Sequence, residues 1–318
     1  MKKINIVLMA MTMILCSVSA SEAKYRIRLQ WLPQTQFAGY YMAAEKGFYQ
    51  ADGVDVEIRP VDPNLKAFHD ILYRKGHFET GWLASGIIMA KASTKKEIVL
   101  IAQFFQKSAF MLVTKRSSGI RTVSDFRGRT IGVWDGVFSI LPRALIKKHK
   151  IHGMKLLPQG FTMDAFLNGE IEMASAMRYN EYNQILESGI KEEELLTFNF
   201  SELGMNLPED GLYVRRDFLE KSPEVCKKVV SATLRGWLYA FEHKEETVRH
   251  ITAIANQTEH KTTEDKQAWM LYVVEKLMDL DSTLLKKEDF ENTVGMLKSL
   301  KMIREVPAYK EFHRNVLE

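Results

Sequence analysis

Cysteine is almost missing from this chain. Among 318 residues only Cys16 and Cys226 carry a thiol, and Cys16 falls in a stretch built like a cleaved leader. Lys2 and Lys3 form a basic start, Ile4 to Cys16 an apolar run, and "SVSASEA" supplies small residues for cleavage after Ala20 or Ala23. Removing residues 1–23 leaves Cys226 alone, which excludes an intramolecular disulfide and predicts a small buried residue within a helix. Long hydrophobic runs are lacking too. The Ile4 to Cys16 run is too short to span a bilayer and no second candidate follows, so the expectation is a soluble, periplasmic protein. Met13, Ile14 and Leu15 argue against a lipid anchor on Cys16.

Charge of one sign is also scarce. The formal net charge is +4, with Lys, Arg, Asp and Glu interspersed, and no basic stripe suits a phosphate backbone. Nucleic acid is therefore excluded as a partner. Repeats, Gly/Ser linkers and low-complexity tracts are absent. The eight histidines are scattered, with no HExxH or CxxC spacing and no GxSxG elbow. "GRTIGVWDG" lacks the Lys-Ser/Thr of a phosphate loop and the spacing of a dinucleotide fingerprint, so its glycines serve turns. No catalytic residue, metal site or cofactor is expected, which favours a binding protein over an enzyme.

What is present is alternation. Tyr25, Ile27, Leu29 and Trp31 alternate with Arg26, Arg28 and Gln30, the period of a strand. "FAGYYMAAEKG" reads as a helix stopped at Gly47. Strand "VDVEIRP", helix "LKAFHDILYRK", strand "FETGWL", helix "SGIIMAKAS" and strand "EIVLIAQFF" follow, the pattern of a parallel α/β sheet. After strand "AFMLVTKR" the chain restarts. "TVSDFRG" pairs Thr122 with Asp125 in a capping-box variant, and strands "RTIGVWDG", "MKLLPQ", "IEMASAM" and "LLTFNF" alternate with helices. From "GLYVRR" onward the pattern is nearly all helical, with Ser222, Pro223 and Glu224 opening one helix.

About 295 residues after the leader are enough for two moderate lobes. The lobes are expected over 24–115 with 209–318, and over 116–208, joined by two crossings near 115 and 210. Ligands in such folds bind beyond the carboxyl ends of strands and between domains. The candidate positions are the loops Trp31 to Gln36, Trp82 to Ser85, Gln103 to Lys107, Trp134 to Phe138 and Arg178 to Glu181.

"LQWLPQTQFAGYYMAAEKGFYQADGVDVEI" resembles the N-terminal signature of periplasmic substrate-binding proteins of the nitrate/sulfonate/thiamine-pyrimidine superfamily, closest to the thiamine-pyrimidine branch. "GIRTVSDFRGRTIGVW", "QGFTMDAFLNGEIEMASAMRYNE" and "EDGLYVRRDFLEKSPE" extend the resemblance over nearly the whole mature chain. It implies an α/β, bilobal periplasmic-binding-protein fold of type II with a two-crossing hinge and a helical C-terminal segment packed on the first lobe. It also implies a monomeric receptor for a hydroxymethylpyrimidine or formylaminopyrimidine precursor of thiamine, delivering to an ABC permease. Some relatives bind riboflavin, and domains of this type also serve membrane sensors. Eukaryotic relatives are suicidal pyrimidine synthases that use a cysteine-rich loop and a donor histidine. Here those regions read "LGMNLPEDGLYV" and "GWLASGIIM", with neither residue, which argues against that activity.

A flat heteroaromatic ring gains about 0.5–1.5 kcal/mol per well-arranged aromatic pair beyond burial. Trp31, Tyr40, Trp82, Trp134 and Tyr179 lie on or near the cleft loops; singly each reads as core, and as a set they read as a stacking site. Glu181 in "YNE" can accept two parallel hydrogen bonds from a protonated ring nitrogen and its amino neighbour, or it is a solvated helix-start acid. Asn180 is a ligand contact or a helix cap. Gln36, Ser85, Gln106, Asp135 and Asp210 complete the expected set, with turn or surface roles as their alternative.

Overall fold

A computed structural model describes residues 24–62, 64–73, 77–92 and 97–318. The leader expected over 1–23, with both cleavage positions, lies outside the described residues. Among the described residues, ten strands form two five-stranded sheets. The first orders β2 (Val56–Arg59), β1 (Tyr25–Arg28), β3 (Phe78–Gly81), β10 (Gly211–Arg215) and β4 (Ile98–Gln103). The second orders β7 (Lys155–Pro158), β6 (Thr130–Val133), β8 (Met173–Met177), β5 (Phe110–Lys115) and β9 (Leu195–Asn199). The fold is the bilobal α/β type expected from the alternation.

The sheets are mixed, not purely parallel. β1 runs parallel to β2 and β3, and β6 runs parallel to β7 and β8. The antiparallel member of each sheet is the strand that has just crossed between lobes. β10 pairs antiparallel with β3 and β4, and β5 with β8 and β9. "GLYVRR" therefore does not open the helical coda; it completes the first sheet. The strand Phe110–Lys115, expected with the first lobe, takes its hydrogen bonds in the second sheet, and the crossing lies between Gln103 and Phe110 rather than near 115. Such pairings join residues far apart in sequence, so local periodicity cannot assign them.

Local chemistry explains most elements. β4 is buried along its whole length, as a strand covered on both faces must be, and is accordingly a continuous apolar run. Helix Ala38–Glu45 ends at Gly47, whose φ of 69° suits glycine. Thr122 and Asp125 form the expected capping box, over a single 3-10 turn. Helix Pro223–Glu242 starts with proline in its first turn and buries Cys226, Val230, Thr233 and Trp237. It crosses helix Ala38–Glu45 where both chains carry glycine. A Cβ on Gly39 would strike the Trp237 ring, and one on Gly236 would strike the Gly39 carbonyl and Ala43.

The C-terminal helices pack on the first lobe and also reach the second. Helix Lys287–Ser299 touches helix Leu83–Ala92 of the first lobe and helix Ile140–Lys148 of the second, where Lys147 Nζ donates to the Ser299 carbonyl. In helix Glu264–Glu275, Trp269 Nε1 donates to the Arg178 carbonyl at 2.9 Å, and Lys266 pairs with Glu187 at 3.0 Å. Among the described residues no helix is long and apolar enough to cross a membrane.

Candidate functional site

The carboxyl ends of the parallel strands face each other across a cleft of about 480 Å³. From the first lobe come Arg28 to Trp31 after β1, Gln34 and Gln36 in the turn, Val61 and Leu65 to Ala67 after β2, and Glu79, Trp82 and Ser85 around the end of β3. The second lobe supplies Trp134, Asp135, Val137 and Phe138 after β6, Gln159 and Phe161 after β7, and Met177, Tyr179, Asn180 and Glu181 after β8. Nine of the expected residues thus come together: Trp31, Gln36, Trp82, Ser85, Trp134, Asp135, Tyr179, Asn180 and Glu181.

Aromatic rings meet across the lobes at two places. The Trp31 and Phe161 rings lie 5.7 Å apart at a tilt, and Trp82 meets Phe138 edge-on at 4.8 Å. Phe138 is 5.9 Å from Trp134, whose Nε1 donates to the Gly160 carbonyl at 3.0 Å. That bond ties the loop carrying Phe161 to the loop after β6. Phe161 itself is 73% exposed, so its ring has room to close on a ligand.

The polar groups are held in fixed orientations. Glu181 accepts from the Met177 N–H at 2.9 Å and from Asn180 Nδ2 at 2.7 Å. Asn180 precedes helix Glu181–Glu187 without a side-chain capping bond, so its amide serves Glu181 and not the helix end. Burial pushes the Glu181 carboxyl up to about 7, against these hydrogen bonds. Gln159 is clamped by Ser175: its Nε2 donates to the Ser175 carbonyl at 2.7 Å, and its Oε1 accepts from the Ser175 N–H at 2.9 Å.

Three expected residues stand elsewhere. Tyr40 is a core residue of the first lobe, 1% exposed, edge-on to Phe104 at 5.9 Å and Trp237 at 6.4 Å. It lies on the helix face that packs against helix Pro223–Glu242, away from the strand ends. Gln106 Nε2 donates to the carbonyls of Gln103 at 2.7 Å and Leu284 at 3.2 Å, pinning the first crossing to the C-terminal segment. Asp210 sits behind the cleft wall, where its Oδ2 accepts from Gln36 Nε2 at 2.6 Å. Burial raises its carboxyl to about 7, partly offset by that bond.

Behind Tyr179 lies a further acid. Tyr179 Oη donates to Glu209 Oε2 at 3.2 Å, and Glu209 Oε1 accepts from Ser108 Oγ at 3.0 Å and from the Ala109 N–H. Glu209 stands on one crossing and Ser108 and Ala109 on the other, so a single carboxylate ties both crossings to the cleft. Burial, then the adjacent Asp210, raises Glu209 to about 8.

Sequence reasoning missed Arg28, Lys66, Glu79, Gln159 and Phe161. One signal existed for Glu79, an acid inside the otherwise uncharged strand "FETGWL". Arg28 alternates with apolar residues exactly as a solvent-facing residue would, yet it is 4% exposed. Its guanidinium donates to the Asp62 carbonyl at 2.9 Å and pairs with Asp70 at 3.2 Å.

A family model described as "NMT1/THI5 like" matches residues 34–247, more than half of the chain. The chain belongs to the NMT1/THI5-like family. One curated relative, the riboflavin-binding protein RibY of Chloroflexus aurantiacus, is 29% identical over 227 residues. That alignment spans 66% of this chain and 60% of RibY. The solved aliphatic sulphonate binding protein SsuA of Escherichia coli superposes with a TM-score of 0.73 at 11% identity, covering 92% of each chain. SsuA of Xanthomonas axonopodis pv. citri, solved bound to MOPS, gives a TM-score of 0.66 at 12% identity, over 93% of this chain and all of that one. At such identities the likeness establishes the fold alone. Neither histidine nor cysteine lines the cleft, and no metal-holding group of three or more His, Cys, Asp or Glu occurs among the described residues.

Proposed function

We propose that this protein captures a small heteroaromatic solute, a pyrimidine precursor of thiamine, in the interlobe cleft and delivers it to an ABC permease. One observation carries the reading: Trp31, Trp82, Trp134, Phe138 and Phe161 line the same cleft as the buried, pre-oriented carboxylate of Glu181. Flat rings offer faces for the aromatics, and a donor edge would meet a carboxylate already held by two hydrogen bonds. The leader-like start supports export to the periplasm, where the receptor would act as a monomer.

A riboflavin ligand is the second reading, favoured by the likeness to RibY. A receptor reporting to a membrane sensor would use the same cleft, and a permease encoded beside this protein would favour transport. A thermal-shift and calorimetry panel of thiamine pyrimidines, riboflavin, nucleobases and alkanesulfonates tests the assignment. Pyrimidine binding at micromolar or tighter affinity is expected. Riboflavin alone giving a shift would transfer the assignment to flavin, and a response to sulfonates alone would end the heteroaromatic reading.

A further inference from the structure

The cleft carries an acid on each wall, and only Glu181 has been given a role. Glu79 lies on β3, beside Arg28 in the parallel register, and is 3% exposed although it lines the cleft. Its two oxygens differ. Oε1 accepts from the Phe68 N–H, while Oε2 is buried with no well-formed hydrogen bond, the Ile71 N–H helping only to favour the charged form. Buried acceptors are nearly always satisfied, and an unsatisfied one is a standing cost that an incoming donor removes. Phe68 itself holds a φ of 61°, a left-handed conformation rare for an aromatic residue. The segment 65–67 leading into it lines the cleft. Strained backbone of this kind persists where the surroundings over-determine it, commonly at ligand sites.

Arg28, the register neighbour of Glu79, favours the ionised carboxyl through its charge but makes its named polar contacts elsewhere. Arg28 is committed to Asp70 and the Asp62 carbonyl, and Lys66 is exposed in its loop. The first-lobe wall thus presents an acceptor to whatever occupies the cleft, and the second-lobe wall presents another at Glu181.

We propose that Glu79 is a second ligand anchor, which selects rings carrying a hydrogen-bond donor, best a protonated amine, on the edge facing the first lobe. This deepens the heteroaromatic reading and rests on it. A ligand bridging the two acids would hold one donor for each lobe, so the same contacts that bind it would draw the lobes together. Anions would be disfavoured by both acids, which separates this cleft from one built for a sulfonate.

The test uses two probes of one shape, 4-amino-5-aminomethyl-2-methylpyrimidine and its 5-hydroxymethyl analogue, titrated calorimetrically at pH 7.5 into the full mature chain. The wild-type protein should prefer the aminomethyl probe by at least tenfold, since a charge-assisted bond to a buried carboxylate is about twice as strong as a neutral one. Glu79→Gln keeps an oxygen for the Phe68 N–H and replaces the free acceptor with a donor. It should leave the melting temperature of the empty protein unchanged or higher while reducing the preference to threefold or less. Glu181→Gln should weaken both probes alike. Should Glu79→Gln fail to fold, Glu79→Asp, which keeps the charge but withdraws it, should reduce the preference as well. Equal wild-type affinity for the two probes, or a preference unchanged by the substitution, overturns the proposal while leaving the pyrimidine reading standing. Binding of neither probe overturns both.

Discussion

Tyr179 donates its phenol to Glu209 at 3.2 Å, joining a cleft residue of the second lobe to the second crossing segment. Glu209 also accepts from Ser108 and Ala109 on the first crossing. The wall of the cleft and both strands of the connection therefore share one carboxylate. Lobe movement in two-crossing proteins is absorbed at such segments, and Tyr179 is the cleft residue bonded to the carboxyl that joins them.

The pH dependence of stability should carry the mark of this group. Glu209 is raised from 4.5 to about 8, with burial as the main cause. A raised carboxyl binds its proton more tightly in the folded state than in the unfolded chain. Its contribution to stability is therefore fully present below about pH 4.5 and is lost as the pH rises through about 8. Glu181, Glu79 and Asp210, each raised to about 7, act in the same direction. Chemical denaturation between pH 5 and 9 should show stability falling with pH, and Glu209→Gln should flatten the fall. A rise across that window would contradict the buried-acid assignment.

Replacing Glu181 by glutamine removes a charged acceptor without changing its size. Loss of a charge-assisted bond worth about 1.5–3 kcal/mol predicts affinity for an aminopyrimidine lowered by roughly ten- to a hundredfold. The melting temperature of the empty protein should move by only a few degrees. Unchanged affinity in calorimetry would take Glu181 out of the site.

Trp31 and Phe161 close one end of the cleft from opposite lobes. Trp31→Ala should reduce the ligand-induced change in tryptophan fluorescence, with Trp82 and Trp134 supplying the remainder. Phe161→Ala should weaken binding by about two- to tenfold, the worth of one aromatic contact, mainly through faster release. Stopped-flow dissociation rates would decide, and an unaltered rate would show that the Phe161 ring does not cover the ligand.

Tyr40 provides the opposite control. Its hydroxyl is buried without a partner, so Tyr40→Phe should be neutral or stabilising and leave ligand affinity unchanged within twofold. A large loss of affinity would return Tyr40 to the cleft.

Gly236→Ala tests the helix crossing at Gly39. The added methyl meets backbone rather than a yielding side chain, so a loss of about 1–3 kcal/mol is expected in urea denaturation. Wild-type stability would mean that the two helices do not approach as closely as described.

Periodicity and punctuation alone determined the elements of this protein. The alternation of Tyr25, Ile27 and Leu29, the apolar run of β4, the stop at Gly47 and the Thr122 capping box are local features, and each stands where its chemistry required. The loops after strands were legible for the same reason, and with them Trp31, Trp82, Trp134 and Glu181. Tertiary structure alone decided where the crossing strands insert, because β10 finds β3 and β4 only after the whole second lobe has been built. It also decided the chemistry of the wall. Arg28 and Glu79 look like ordinary charges on strands until their neighbours bury them, whereas Tyr40, an equally plausible cleft aromatic, is claimed by Phe104 and Trp237. Burial is a property of what arrives from elsewhere in the chain, and it is burial that turned Glu79 from a strand charge into a covered acid in the wall of the cleft.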